Sequence, residues 1–386
     1  MSISALEGQI YLDIKIDGKD LPSSGNFLKE IQVVENISNL TPTFMMICND
    51  DQGVFVNELA LSDGNKFEFT IGTTREEIST GGDNANFAKK FRLFSYQGKR
   101  FNTGYTYFIS GIYDAPKFTM DVNSQLLKGT SYDVIRKIAT DCGFDFYGDT
   151  TDDYQHWLNI SDTNANFVRK IGAHAYRKDG LPLIALMSDD SLYYKDVVEA
   201  LKKEPEFGFS SVIEKEENGF FPALEWEVYS HSGSMNSWVN YGYSLFEPRL
   251  DGSVSEYNKI SLSTDGAFVP VNADVSDALS MARMDYTAID CGNTHKRYWQ
   301  AFHSNLRLSA LFSQKIILLT NSVTNFNLTD AVGLKIYNQA NNKPNAFSGR
   351  YIITAKKTII RGTKYSEIFE LSRPTVTLQG AARLIH

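Results

Sequence analysis

Several residue types and patterns are scarce in this chain of 386 residues, and each scarcity excludes something. Its 3 cysteines, Cys48, Cys142 and Cys291, lie far apart and in no Cys-x-x-Cys arrangement, which argues against both a disulfide framework and a zinc site. They read as buried thiols. Apolar runs such as Leu181–Met187 fall far short of the roughly 20 residues that span a bilayer. The opening segment, Met1 to Gly8, has neither the basic region nor the apolar core of a secretory signal, so synthesis and folding in the cytoplasm are expected. Lys and Arg total 38 against 46 Asp and Glu, a net charge of −8 that opposes general binding to nucleic acid or anionic membrane. The 10 prolines and 27 glycines form no low-complexity block, so no long flexible linker separates packed units.

Chemical motifs are equally scarce. There is no Gly-x-Gly-x-x-Gly, no phosphate loop ending in Gly-Lys-Ser/Thr and no Gly-x-Ser-x-Gly elbow, so nucleotide and serine-hydrolase readings lose their usual support. The histidines are His156, His174, His231, His295, His303 and His386, and none sits in His-Glu-x-x-His. His295 and His303 share a predicted helix, but no carboxylate lies between them at a ligating spacing, so surface or capping roles are expected. The expectation is a protein without catalytic residues, metal or cofactor.

What the chain does have is aromatic side chains: 20 Tyr, 25 Phe and 4 Trp, or 13% of the residues, which favour half-buried pleated surfaces. At roughly 150 residues per domain, the length points to two or three packed units. Short alternating segments predict strands at Gln9–Ile16, Glu30–Val34, Thr43–Cys48, Lys66–Ile71, Phe91–Tyr96 and Tyr105–Tyr113, with a turn at Asp17-Gly18. Phe67, Phe69 and Ile71 fall on one face of their strand and Lys66, Glu68 and Thr70 on the other. The periodicity then changes. Val134, Ile135, Ile138, Ala139 and Cys142 follow helical spacing between a Thr or Ser cap and Gly143. A second helix is predicted from about Ser161-Asp162 to Tyr176, burying Phe167, Val168, Ile171 and Ala175 and closed by Gly180, with a buried strand at Leu181–Met187.

Strands return at Trp226–Tyr229 and Trp238–Leu245. A polar stretch over 246–293 is weakly patterned, and a third helix is predicted from Thr294 to about Gln314. Further strands follow at Lys315–Thr320, Gly333–Tyr337, Tyr351–Ala355, Thr358–Ile360 and Glu367–Leu371. The expected fold class is α+β and β-rich: a first β-barrel over 1–120, an α+β domain over 121–228, a second barrel from 229–245 and 315–380, and an insertion with a helix over 246–314. A weak internal echo supports duplication. Asp63–Ile71 followed by Tyr107–Asp114 is similar to Asp330–Tyr337 followed by Tyr351–Thr358.

Three polar clusters invite other readings. Asp149, Asp152 and Asp153 beside Tyr154 and Trp157 could flank a glycosidic bond, although Asp in such a run is first a turn-former. Glu214, Glu216 and Glu217 before Asn218-Gly219 read as a solvated turn. Lys356, Lys357 and Arg361 form a basic cluster on the last hairpin, read as the blunting of an edge strand rather than a phosphate site.

Two segments carry a family resemblance. Gly129–Gly143, followed by Ile160–Tyr176 and Asp179-Gly180, resembles the central segment of phage tail hub proteins, a group that includes the late control proteins of contractile-tailed phages and the N-terminal part of type VI secretion spikes. Ser322–Tyr337 with Gly349–Thr354 resembles the second barrel of the baseplate hub. The resemblance implies a ring-shaped homotrimer whose two barrels per chain present six near-equivalent units to a six-fold tail tube, while its other end meets a three-fold spike. Its implied partners are the tube or tube-initiator protein, a spike protein, the tape-measure protein and the surrounding wedge proteins; because the chain stops at His386, shortly after the last predicted strand, the expectation is a spike on a separate polypeptide or a chain truncated relative to fused relatives. DNA would pass through without specific binding, and the implied location is the virion baseplate. A net charge of −8 per chain, tripled in the ring, suits such a bore. The alternatives are the hub of a type VI or other contractile injection system, and a carbohydrate-active enzyme or lectin built on the aspartate loop.

Overall fold

The computed structural model describes residues 11–21, 27–72, 87–101, 104–177, 180–212, 219–230, 244–245, 258–259, 311–312, 314–338, 343–362 and 364–373. Strand β1 (Tyr11–Ile16) turns through Asp17 and Gly18, at φ 49° and 78°, into β2 (Lys19–Asp20), with Ile16 opposite Lys19. This is the two-residue hairpin loop whose positive φ angles match strand twist, at the predicted turn. Then come β3 (Leu28–Asn36), β4 (Asn39–Asp50), the one-turn helix α1 (Val54–Asn57), β5 (Lys66–Gly72), β6 (Phe87–Phe101) and β7 (Gly104–Tyr113). Phe67, Phe69 and Ile71 are buried as their alternation predicts, and the ring of Phe44 lies 5.0–5.2 Å from those of Phe67, Phe69 and Phe91. In this region the aromatic excess is core.

The middle of the chain runs α2 (Pro116–Thr119), β8 (Val122–Gly129), α3 (Ser131–Cys142), β9 (Asp145–Gly148), β10 (Gln155–Thr163), α4 (Asn164–His174), β11 (Pro182–Leu186), β12 (Ser191–Asp196) and α5 (Val197–Lys202). Helix α3 matches its prediction at both ends. Asp133 N donates to Thr130 Oγ1 and Thr130 N donates to the Asp133 carboxylate, each at 3.2 Å, while Gly143 closes the helix at φ 86°. Helix α4 starts later than predicted. Ser161 and Asp162 continue β10, with Asp162 opposite Asn123 of β8, and Thr163 is the cap. Its end is Ala175 in an extended conformation, so Gly180 has no role in closing it. The buried stripe is nonetheless the predicted one, Phe167, Val168, Ile171 and Ala175. Among the described residues no helix is long and apolar enough to cross a membrane.

The remaining strands are β13 (Gly208–Ser210), β14 (Phe220–Pro222), β15 (Glu225–Ser230), β16 (Ser244–Leu245), β17 (Asn258–Lys259), β18 (Gln314–Thr320), β19 (Ala331–Lys335), β20 (Gly349–Arg361) and β21 (Lys364–Arg373). The two strands expected at Tyr351–Ala355 and Thr358–Ile360 are one, because Lys356 and Lys357 are strand residues within β20 rather than a break. Gln314 opens β18 instead of ending a helix, and most of 246–310, including the predicted third helix, lies outside the described residues.

Strand order shows an internal repeat. The hydrogen-bonded order β3-β4-β7-β6-β5 recurs as β15-β18-β21-β20-β19, antiparallel throughout. The same irregularity recurs too. β6 bulges between Leu93 and Ser95 against β7, and β20 between Ile353 and Ala355 against β21. Matched through these pairings, Phe44 corresponds to Ile316, Met46 to Leu318, Phe91 to Tyr351 and Ile109 to Phe369, and all are buried. The sequence echo was right to align β5 with β19, but Tyr107–Asp114 belongs with β21 and Tyr351–Thr358 with β6, a shift of one strand.

Among the described residues no pairing closes either five-strand set, and both belong to one 14-stranded sheet joined where β20 pairs with β3.

The repeat explains one glycine. Gly111 occupies the place of Leu371, and a Cβ there would run into the ring of Phe44, which is bulkier than its counterpart Ile316, and separately into the Arg92 carbonyl. Gly111→Ala is expected to destabilise the fold by about 1–3 kcal/mol. Adding Phe44→Leu should recover part of that loss, as read from urea unfolding midpoints.

Candidate functional site

The aspartate loop does not form an open carboxylate pair. Asp153 is fully buried: its Oδ1 accepts from Ser131 N and Thr151 Oγ1, and its Oδ2 from Tyr176 N, all at 2.8 Å. Asp149 Oδ2 accepts from Asp196 N at 2.8 Å. Trp157 is buried and donates to the Gly129 carbonyl at 3.0 Å, so it offers no face to a sugar, while Tyr154 and Asp152 point outward. The loop is therefore a fastener for the start of α3.

Burial pushes the Cys48 thiol up to about 12 and the half-buried Cys142 thiol up to about 11, neither suited to nucleophilic work. His156 is exposed on β10 opposite Lys128, and His174 ends α4. Cys291, His231, His295, His303, His386, Glu214, Glu216 and Glu217 lie outside the described residues. Among the described residues no cluster of His, Cys, Asp or Glu could hold a metal ion. A cleft beside α5 is lined by Asp149, Arg177, Asp196, Glu199 and Lys203, but Asp149 and Asp196 are committed to backbone N–H groups and Glu199 pairs with Lys202 at 2.7 Å. Asp196 Oδ1 accepts from Leu181 N at 2.9 Å and Val198 N at 3.0 Å, and Oδ2 meets Arg177 at 2.8 Å.

The basic cluster does not blunt an edge. Lys356 is 3% exposed and opposite Glu35, because this half of β20 lies between β21 and β3. Its Nζ meets Glu367 Oε1 at 3.0 Å, and Glu35 Oε1 meets Lys89 Nζ at 3.1 Å and accepts from Ser188 N at 2.8 Å. Four buried charges thus alternate across the junction of the two sheet units, and Arg361 closes its outer end on Glu30 at 2.8 Å. Burial alone would raise the Glu35 carboxyl, yet the charges of Lys89 and Lys356 and the bonds from Ser188 hold it below the usual carboxylate range.

The second feature the sequence did not reveal is a pair of open sheet edges. Past its bulge β20 pairs with β3; past its own bulge β6 runs from Ser95 to Phe101, and β15 stands where β3 stands in the first unit. Among the described residues neither Ser95–Phe101 of β6, which pairs only with β7, nor β15, which pairs only with β18, has a second neighbour. Both carry exposed aromatics: Phe94 at 69% and Tyr96 at 47%, and Trp226 at 36% and Tyr229 at 48%. Unpaired strand edges bearing apolar side chains are templates for another chain. They form the candidate site.

Two outcomes are expected at the buried junction. Lys356→Met should cost about 3–5 kcal/mol by stranding Glu367 and Glu35, and a double-mutant cycle with Glu367→Leu should show strong coupling. Because the folded-state Glu35 value is depressed, its contribution is present above the unfolded-state value and is lost as pH falls through the folded one. Stability should therefore decline through and below the ordinary carboxylate range, with a shallower acid slope in Glu35→Gln, measured as unfolding free energy against pH.

No protein-family model matches this chain, and no curated protein matches it. Among solved structures, the 43 kDa tail protein of prophage MuSo2 from Shewanella oneidensis is similar with a TM-score of 0.54 and 11% identity, over 95% of this chain and 98% of that one. A tail protein from Neisseria meningitidis MC58 is similar with a TM-score of 0.53 and 9% identity, over 97% and 99%. The likeness extends over nearly the full length of both proteins, bears out the sequence resemblance at the level of architecture, and gives this chain the fold of these tail proteins.

Proposed function

We propose that the protein is a structural hub of a phage tail baseplate, working as a ring of three copies that matches a six-fold tail tube to a three-fold spike. The observation that carries this reading is the repeat: one chain holds two equivalent five-strand units, so three chains supply six, while the ring keeps three-fold symmetry elsewhere. Oligomer formation also answers the open edges, since an edge-to-edge contact between different surfaces generates a closed ring when its rotation allows closure. The barrel character expected of each unit would arise in the ring, where neighbouring sheets continue one another.

In this role the tube protein stacks on one face of the ring and a spike docks on the other, with wedge proteins outside. DNA crosses the bore without specific binding, and a net charge of −8 per chain disfavours adhesion of a polyanion. The carbohydrate reading has no comparable support, since Trp157 and Asp153 are both committed to the interior.

Native mass spectrometry with light scattering tests the reading. The expected species has three times the 43.4 kDa chain mass, growing with protein concentration. A monomer or a dimer at every concentration would overturn it.

A further inference from the structure

The repeat specifies how copies would meet, because one of the two kinds of unit-to-unit contact is already made inside the chain. There β20 pairs antiparallel with β3, placing Lys357 opposite Val34, Thr358 opposite Val33, Ile359 opposite Gln32 and Ile360 opposite Ile31. The bulges and ladders give the counterpart of each partner. Ala355 and Ser95 are the first residues past equivalent bulges, opposite Glu370 and Ser110. Val33 and Val228 are opposite Phe44 and Ile316, which in turn face Gly111 and Leu371. The counterpart of the outer half of β20 is therefore Ser95–Phe101 of β6, and the counterpart of β3 is β15.

We infer that the partner of each open edge is a second copy of this chain, with β6 of one copy pairing antiparallel to β15 of the next in the register of the internal junction. That register sets Gln97 opposite Tyr229, Gly98 opposite Val228, Lys99 opposite Glu227 and Arg100 opposite Trp226. The inference rests on the ring reading above and adds the surfaces and the register.

Three independent features agree with it. The charges are complementary: the β6 edge carries Lys99 and Arg100, and the β15 edge carries Glu225 and Glu227. The internal junction uses the same device, Arg361 against Glu30. The aromatic rings of Tyr96 and Trp226, exposed here, would be covered, as buried Lys356 and Ile31 are at the corresponding places inside the chain. Alternation also fits. Lys356, Thr358 and Ile360 share the buried face with Glu35, Val33 and Ile31, so Tyr96, Gly98 and Arg100 would share theirs with Val228 and Trp226.

Two measurements on the full chain test this. Oxidation of the Gln97→Cys/Tyr229→Cys variant should give intermolecular disulfides that close a covalent three-chain species. The slipped pair Gln97→Cys/Glu227→Cys, with side chains about 7–8 Å apart, should form at least tenfold less. Lys99→Glu and Glu227→Lys should each weaken assembly at least tenfold, and the combined swap should restore it, which a folding defect would not do. A three-chain protein without the in-register cross-link, or with no rescue by the swap, overturns the pairing and leaves the ring reading standing. Absence of both oligomer and cross-link overturns the two together.

Discussion

The antiparallel contact between β3 and β20 is the constraint on which the rest depends. It joins strands some 320 residues apart in sequence, by the order of the numbering, and makes one sheet of two units. Its buried face carries Lys356 opposite Glu35, extended by Lys89 on one side and Glu367 on the other. Buried ion pairs seldom stabilise much relative to apolar residues of similar size, but stranding one member is costly. A slip of one residue would put Lys356 and Glu35 on opposite faces of the sheet, so the charges select the register of the junction more than they strengthen it.

From that junction the architecture follows. Each unit has an antiparallel pair, a hairpin in the first unit and two strands separated by residues 231–313 in the second, then three antiparallel strands of which the last returns to the pair's second strand, with a bulge in the middle one. The bulge bends the long strand so that its first half serves its own unit and its second half reaches the next. In the second unit the next is the first unit of the same chain; in the first unit the corresponding edge is open among the described residues. The α+β segment between them is tied to the junction through Ser188, which donates to Glu35, so the spacing of the units and the middle of the chain are mechanically linked.

Much of the fold was legible because local chemistry wrote it. Thr130, Asp133 and Gly143 mark both ends of α3, Asp17-Gly18 makes the first hairpin turn, and the alternation of Phe67, Phe69 and Ile71 gives the buried face of β5. The errors arose where distant residues decide. Ser161 and Asp162 look like a helix start but are held in a strand by β8, and Lys356 looks like an edge-blunting charge because nothing nearby in sequence shows Glu35 or Glu367. The repeat was half legible: β5 and β19 share an acidic lead-in, whereas β6, β7, β20 and β21 differ only in pairing, which alternation does not encode. The candidate site was invisible for the same reason, since an open edge is a property of the ladder and not of the residues in it.

The central claim is that this chain is a tandem of two equivalent sheet units built to close on copies of itself. A three-dimensional reconstruction of the assembled particle by electron cryo-microscopy tests it most directly. The account predicts six similar five-strand units around a central bore, with sheet continuous across every boundary and within-chain and between-chain junctions alternating. A particle in which β6 and β15 both face solvent, or in which the two units of a chain occupy unrelated positions, would contradict it.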